Sequence, residues 1–168
     1  MTSLNQDSPV SENDHTKHLR RAVELARACI TAGDGGPFGA VVVKDDQVIA
    51  EGWNRVIRTN DPTAHAEVTA IRAACEALGT FHLTGTVIYC SCEPCPMCLG
   101  ALYWARPEAV YFAATRHDAA AVGFSDALIY DEIGMLPDGR SLPFRRLEVA
   151  GASDVFAQWL AMPGRVDY

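Results

Sequence analysis

Two short stretches carry the side chains best suited to chemistry. One is His65-Ala66-Glu67; the other is Pro94-Cys95-Pro96-Met97-Cys98. Zinc takes imidazole nitrogen and thiolate sulfur in tetrahedral geometry, and Cys-x-x-Cys is a common bite for it. Both stretches fall at predicted helix starts, where unpaired backbone N–H groups favour thiolate over thiol at Cys95 and Cys98. His65 offers a neutral nitrogen from the matching place on the neighbouring helix. Three ligands leave a fourth position for water, and zinc brings the pKa of such a water to about 7. Glu67 is not needed as a ligand and is placed to take a proton from that water. A second reading remains open. Cys92 extends the run to Cys-x-x-Cys-x-x-Cys, which with His65 makes a closed Cys₃His structural site. An iron–sulfur run asks for a further cysteine where Leu102 stands.

The elements that must position these residues follow from apolar periodicity. Leu19, Ala22, Val23, Ala26, Cys29 and Ile30 give a helix over 16–32, stopped by Gly33. Val41-Val42-Val43 centre a buried strand over 38–44, and Asp45-Asp46 turn it into a second strand over 47–55. Residues 57–62 read as a loop. A helix follows over 64–78, with Gly79 as its stop, then a strand over 86–92. Pro94 and Pro96 open a helix running to Ala105 that is almost wholly apolar, which predicts burial. A strand over 109–113, a helix over 126–132, a short strand over 142–148 and a helix over 153–162 complete the reading. Strands alternating with helices predict a three-layer α/β/α fold on a mixed five-stranded sheet. The predicted organisation is a mobile leader over 1–13, a domain over 14–152 and a C-terminal helix and tail over 153–168.

Composition narrows the class. A chain of 168 residues with 49% hydrophobic and 21% charged residues is an ordinary globular domain. The sequence opens on a polar stretch without the apolar core of a signal peptide, and no run is long enough for a membrane span, so a cytoplasmic location with no membrane partner is expected. Six cysteines without a secretory signal read as reduced thiols, and the four within Cys90–Cys98 point to metal rather than disulfides. Cys29 and Cys75 read as small core residues. The net charge of −7 argues against a nucleic-acid partner.

His-x-Glu followed by Pro-Cys-x-x-Cys is the signature of the zinc deaminases, and the chain resembles the cytidine-deaminase superfamily. Within it, several stretches resemble the small bacterial guanine deaminases: Gly35-Gly36-Pro37-Phe38-Gly39-Ala40, Asn54, Asn60 to Glu67, Ser91 to Ala101, Tyr103 to Pro107, Gly123-Phe124 with Asp126, Ile129-Tyr130, and Tyr168. The likeness covers about residues 16–168. It implies one zinc ion per chain on His65, Cys95 and Cys98, and Glu67 as proton shuttle with Asp126 as a second catalytic carboxylate. A purine base would then be held by Phe38, Asn54, Ala66, Trp104 and Tyr168. It also implies a homodimer that exchanges C-terminal segments. The implied reaction is hydrolysis of guanine to xanthine and ammonia. Other readings stay open: a cytosine or triazine deaminase, a tRNA adenosine deaminase, or a zinc-stabilised dimer module without catalysis. At single residues, Asn54 could only stabilise a strand end, Phe38 and Trp104 could be core, Asp126 could cap a helix, and Tyr168 could be a frayed end. Glu93 reads as a partner for backbone N–H groups, and His15, His18, His82 and His117 as surface or structural residues.

Overall fold

The computed structural model describes residues 12–167. They form two compact units, divided between Ser125 and Asp126. The first unit holds α1 (Glu12–Ala32), β1 (Gly39–Lys44), β2 (Gln47–Trp53), α2 (Val56–Thr59), α3 (Ala66–Leu78), β3 (Thr86–Cys92), α4 (Pro96–Ala105), β4 (Ala109–Ala114) and α5 (Arg116–Ala121). The second holds α6 (Ala127–Ile133), a 3₁₀ turn at Pro137–Gly139, and α7 (Asp154–Ala161).

The sheet runs β2-β1-β3-β4. β1 pairs antiparallel with both β2 and β3, while β3 and β4 are parallel, as the α4 crossover between them requires. The alternation of side chains sorts the strands into two faces. Ala40, Val42, Ile88 and Cys90 pack on Ala66, Ala70 and Ala74 of α3 and on Leu102 and Ala105 of α4. Val41, Val43 and Tyr89 pack on Ala22 and Leu25 of α1. The sheet is therefore mixed and covered by helices on both faces, which is the predicted three-layer α/β/α arrangement. α3 rides close to β2 because Gly52 has no side chain: a Cβ there would collide with the Ala66 carbonyl and come within 2.5 Å of the Ala70 nitrogen. Gly79 ends α3 in the left-handed conformation, with φ of 63°.

The sheet has four strands, not five. Residues 142–148 form no strand. Pro143 cannot donate to a ladder, and Arg145-Arg146 break the apolar alternation that a strand needs. α4 is also not buried all round. It buries Pro96, Cys98, Leu102 and Ala105 but exposes Leu99, Tyr103 and Trp104. α1 starts at Glu12, inside the stretch expected as a leader, and the rest of that stretch, residues 1–11, lies outside the described residues. Two short helices break the predicted pattern. α2 occupies part of the expected loop. α5 is set by a reciprocal capping box between Thr115 and Asp118, a signal the sequence carries as Thr-x-x-Asp. Among the described residues no helix is long and apolar enough to cross a membrane.

Candidate active site

His65, Glu67, Cys95 and Cys98 converge because two helices start side by side. His65 is the N-cap residue of α3 and Cys95 the N-cap residue of α4, each in extended backbone conformation, and neither side chain caps its helix. Those side chains are thus free to turn toward one another. Cys98 and Glu67 follow in the first turns. The Nδ1 atom of His65 lies 3.5 Å from the sulfurs of both Cys95 and Cys98. All three ligand atoms lie within 4.8 Å of one another. A tetrahedral zinc ion with its usual bond lengths holds nitrogen and sulfur about 3.6 Å apart, so the donor set and spacing fit zinc. Cys92, the fourth ligand of the closed alternative, stands outside the group. Its thiol donates to the Thr115 carbonyl at 3.5 Å, and burial pushes its pKa up to about 11.

The cluster shares its protons unevenly. The Cys95 thiol is pulled down to about 4 by the hydrogen bond from Cys98 and by His65. Cys98, donating to Cys95 and buried, is pushed up. His65 is raised by its contact with Cys95. Glu67 is 7% exposed, and that burial raises its carboxyl pKa. Its Oε2 atom lies 3.4 Å from the Cys98 sulfur. A buried carboxyl beside a candidate metal-binding cluster, with a raised affinity for protons, is suited to take and release one.

The remaining residues fall in several places. Asn54 is buried at the end of β2, where its Oδ1 accepts from the Val56 N–H at 3.1 Å. Phe38 packs partly on the core and meets Phe124 edge-to-face, with ring centroids 5.1 Å apart. Ala66 is buried in the α3 layer of the core. Trp104 is 65% exposed on α4, so it is not a core residue. Asp126 belongs to the second unit, at the N-cap position of α6, and makes no side-chain capping bond. Tyr168 lies outside the described residues. Glu93 accepts from the Arg116 N–H at 3.0 Å, the backbone role expected of it. His15 meets the Tyr89 hydroxyl at 2.7 Å, and His18 is buried against the same ring, both structural.

Sequence reasoning missed Asp34 and gave Cys29 only a packing role. Asp34 is buried and binds Trp53 and Arg58. Cys29 donates its thiol to the Asn54 carbonyl at 3.0 Å. An aspartate set among glycines, in Gly33-Asp34-Gly35-Gly36, was the available signal for the first.

Fold and site together define a zinc-binding deaminase domain. The cytidine and deoxycytidylate deaminase zinc-binding region matches residues 12–114, more than half of the chain, and the chain belongs to this family. It is 52% identical over 155 residues to a guanine deaminase of Bacillus subtilis, spanning 92% of this chain and 99% of that one. The X-ray structure of guanine deaminase from Bacillus subtilis matches with a TM-score of 0.90, covering 92% of this chain and 98% of that chain. A tRNA-specific adenosine deaminase of Agrobacterium fabrum is 47% identical over 89 residues, which is 53% of this chain and 59% of that one.

Proposed function

We propose that this chain hydrolyses guanine to xanthine and ammonia. The observation that carries the reading is extent. The likeness to a guanine deaminase runs over 92% of the chain, whereas the likeness to the Agrobacterium tRNA adenosine deaminase covers 53%. His65, Cys95 and Cys98 would hold one zinc ion per chain, which would supply the Lewis acidity that brings a bound water near pKa 7. Glu67 takes a proton from the water that attacks C2 and carries it to N3 of the ring. Its burial supports this role, because a raised pKa narrows the gap between accepting and giving up that proton. Asp126 assists the departing amine as a second carboxylate. Phe38 lies against the purine ring, Asn54 binds its polar edge, Ala66 and Trp104 contribute to the base site, and Tyr168 closes it. Water adds and ammonia leaves, so the balance needs no other reactant.

The working form is a cytoplasmic homodimer that exchanges C-terminal segments, with 153–168 as the exchanged helix and tail beside the 14–152 domain. Two observations support a partner copy. α6 and α7 contain no buried residue. Leu128, Ile129, Phe156 and Leu160 on them are exposed apolar groups that a second chain would cover. Six free cysteines fit a reducing compartment.

The test is ammonia release by zinc-loaded protein from guanine, adenine, cytosine and a tRNA anticodon stem-loop in parallel. Release from guanine with xanthine as co-product is expected. A site that hydrogen-bonds one ring edge rejects the wrong ring by as much as about 10⁴–10⁵. Preference for cytosine or the stem-loop would overturn the substrate while leaving the zinc chemistry in place.

A further inference from the structure

Asn54 is held more completely than a strand-end residue needs. Its backbone N–H donates to the Phe38 carbonyl at 3.0 Å, and its carbonyl accepts the Cys29 thiol at 3.0 Å. Its side-chain Oδ1 accepts the Val56 N–H at 3.1 Å. A backbone N–H can only donate, so the side-chain oxygen is fixed inward and Nδ2 is the polar atom left to present. Gly35 lies flat against this amide. A Cβ there would collide with Oδ1 and stand 2.9 Å from both Cγ and the backbone oxygen of Asn54.

Asp34 closes the bracket from both sides of Asn54. It is 6% exposed. Its Oδ2 accepts the Trp53 indole N–H at 2.8 Å, so it grips the residue before Asn54. Its Oδ1 accepts from Arg58 at 3.2 Å, and its carbonyl accepts the Arg58 N–H at 3.0 Å, so it also grips α2 just beyond. Asp34 therefore ties the end of β2, α2 and the glycine loop into a single frame. A carboxylate so placed is worth more than its salt bridge, because its bonds to Trp53 and Arg58 fix geometry around a third residue, Asn54.

We propose that Asp34 is a positioning residue, which through Trp53 and Arg58 holds Asn54 so that it offers only the Nδ2 donor to an acceptor on the substrate ring, a carbonyl oxygen or an unprotonated ring nitrogen. The inference rests on the reading of Asn54 as a base-binding residue. It does not depend on which ring is the substrate.

A kinetic double-mutant cycle tests it, with zinc content measured for every variant. Asp34→Asn is expected to lower kcat/KM about tenfold, mainly through KM, with zinc retained; a misplaced hydrogen bond of about 1.4 kcal/mol corresponds to that factor. In an Asn54→Ala background the same substitution is expected to change kcat/KM less than twofold, because nothing remains to be positioned. Equal losses in both backgrounds, or no loss in the first, would overturn the proposal. Arg58 is exposed, so Arg58→Gln tests the bracket without threatening the fold; about a threefold loss is expected, again absent beside Asn54→Ala. The cycle is run on whichever ring the wild type deaminates, so failure on guanine alone counts against the substrate and not against Asp34. A readout independent of turnover is the side-chain amide NMR pair of Asn54, whose chemical shifts are expected to move in Asp34→Asn as the amide leaves its fixed position. An unchanged pair in that variant would also overturn the proposal.

Discussion

At the residue scale, the site depends on a few atoms at two helix starts, and each has its own expected failure. Glu67→Gln keeps the shape of the side chain and removes its basicity. Zinc content should stay near one per chain while kcat falls by about 10²–10⁴, the usual worth of a general acid–base group. Retention of most activity with zinc in place would remove Glu67 from the mechanism. Cys95→Ser should abolish zinc binding, measured by metal analysis of the purified protein. Cys92→Ser should leave zinc at one per chain, because the Cys92 thiol is engaged with the Thr115 carbonyl rather than the cluster. Loss of zinc from Cys92→Ser would restore the closed Cys₃His alternative. Asp34, proposed to position Asn54, belongs at this scale too.

At the element scale, what matters is how closely α3 and α4 can approach the sheet. Gly52 sets that approach for α3. Gly52→Ala should cost about 1–3 kcal/mol, the usual penalty for overpacking a close-fitting interior, read as a fall in denaturant midpoint. A change below about 0.5 kcal/mol would mean that the helix can shift away at little cost. α1 is clamped to β2 by Arg21, which makes a two-pronged bond to Glu51 at 2.7 and 2.8 Å. Arg21 holds the Glu51 carboxyl below its ordinary value. A lowered carboxylate pKa adds stability above the unfolded value of about 4.5 and loses it as pH falls through the folded value. The pair is partly exposed, so Arg21→Gln should cost under about 1 kcal/mol at pH 7. That gap between wild type and variant should close toward pH 3. A gap that widens on acidification would contradict the ion pair.

At the scale of the whole molecule, charge and exposed apolar surface set the expectations. A net charge of −7 works against binding through phosphates and fits a small uncharged base as substrate. Guanine turnover should therefore change little between 50 and 200 mM salt, whereas binding through many phosphate contacts loses about 10³–10⁵ in affinity over that range. α4 exposes Leu99, Tyr103 and Trp104 as an apolar face, in addition to those of α6 and α7. Sedimentation should report a dimer, and a monomer at micromolar concentration would leave these faces without an occupant.

Much of this protein was legible in its sequence, and for identifiable reasons. The three valines of β1 declare a strand buried on both faces, because no polar residue interrupts them. That His65, Cys95 and Cys98 come together was legible because zinc chemistry asks for particular residue types and spacing, and helix starts are marked by proline and by the residues before it. The extent of the sheet was misread: Leu142, Phe144 and Leu147 suggested a strand over 142–148, although Pro143 and Arg145-Arg146 stand against one and pairing also needs a partner edge far away in the chain. The exposure of α4 was equally hidden, since composition reports how apolar a helix is and not which side meets the sheet. Nor could spacing reveal that Asp34 reaches Trp53 and Arg58, since those contacts close loops of 19 and 24 residues that only folding brings together. Local chemistry and periodicity are written in neighbouring residues and survive in the sequence. Which distant groups touch, and therefore which polar atoms remain for a substrate, was decided only by the tertiary packing.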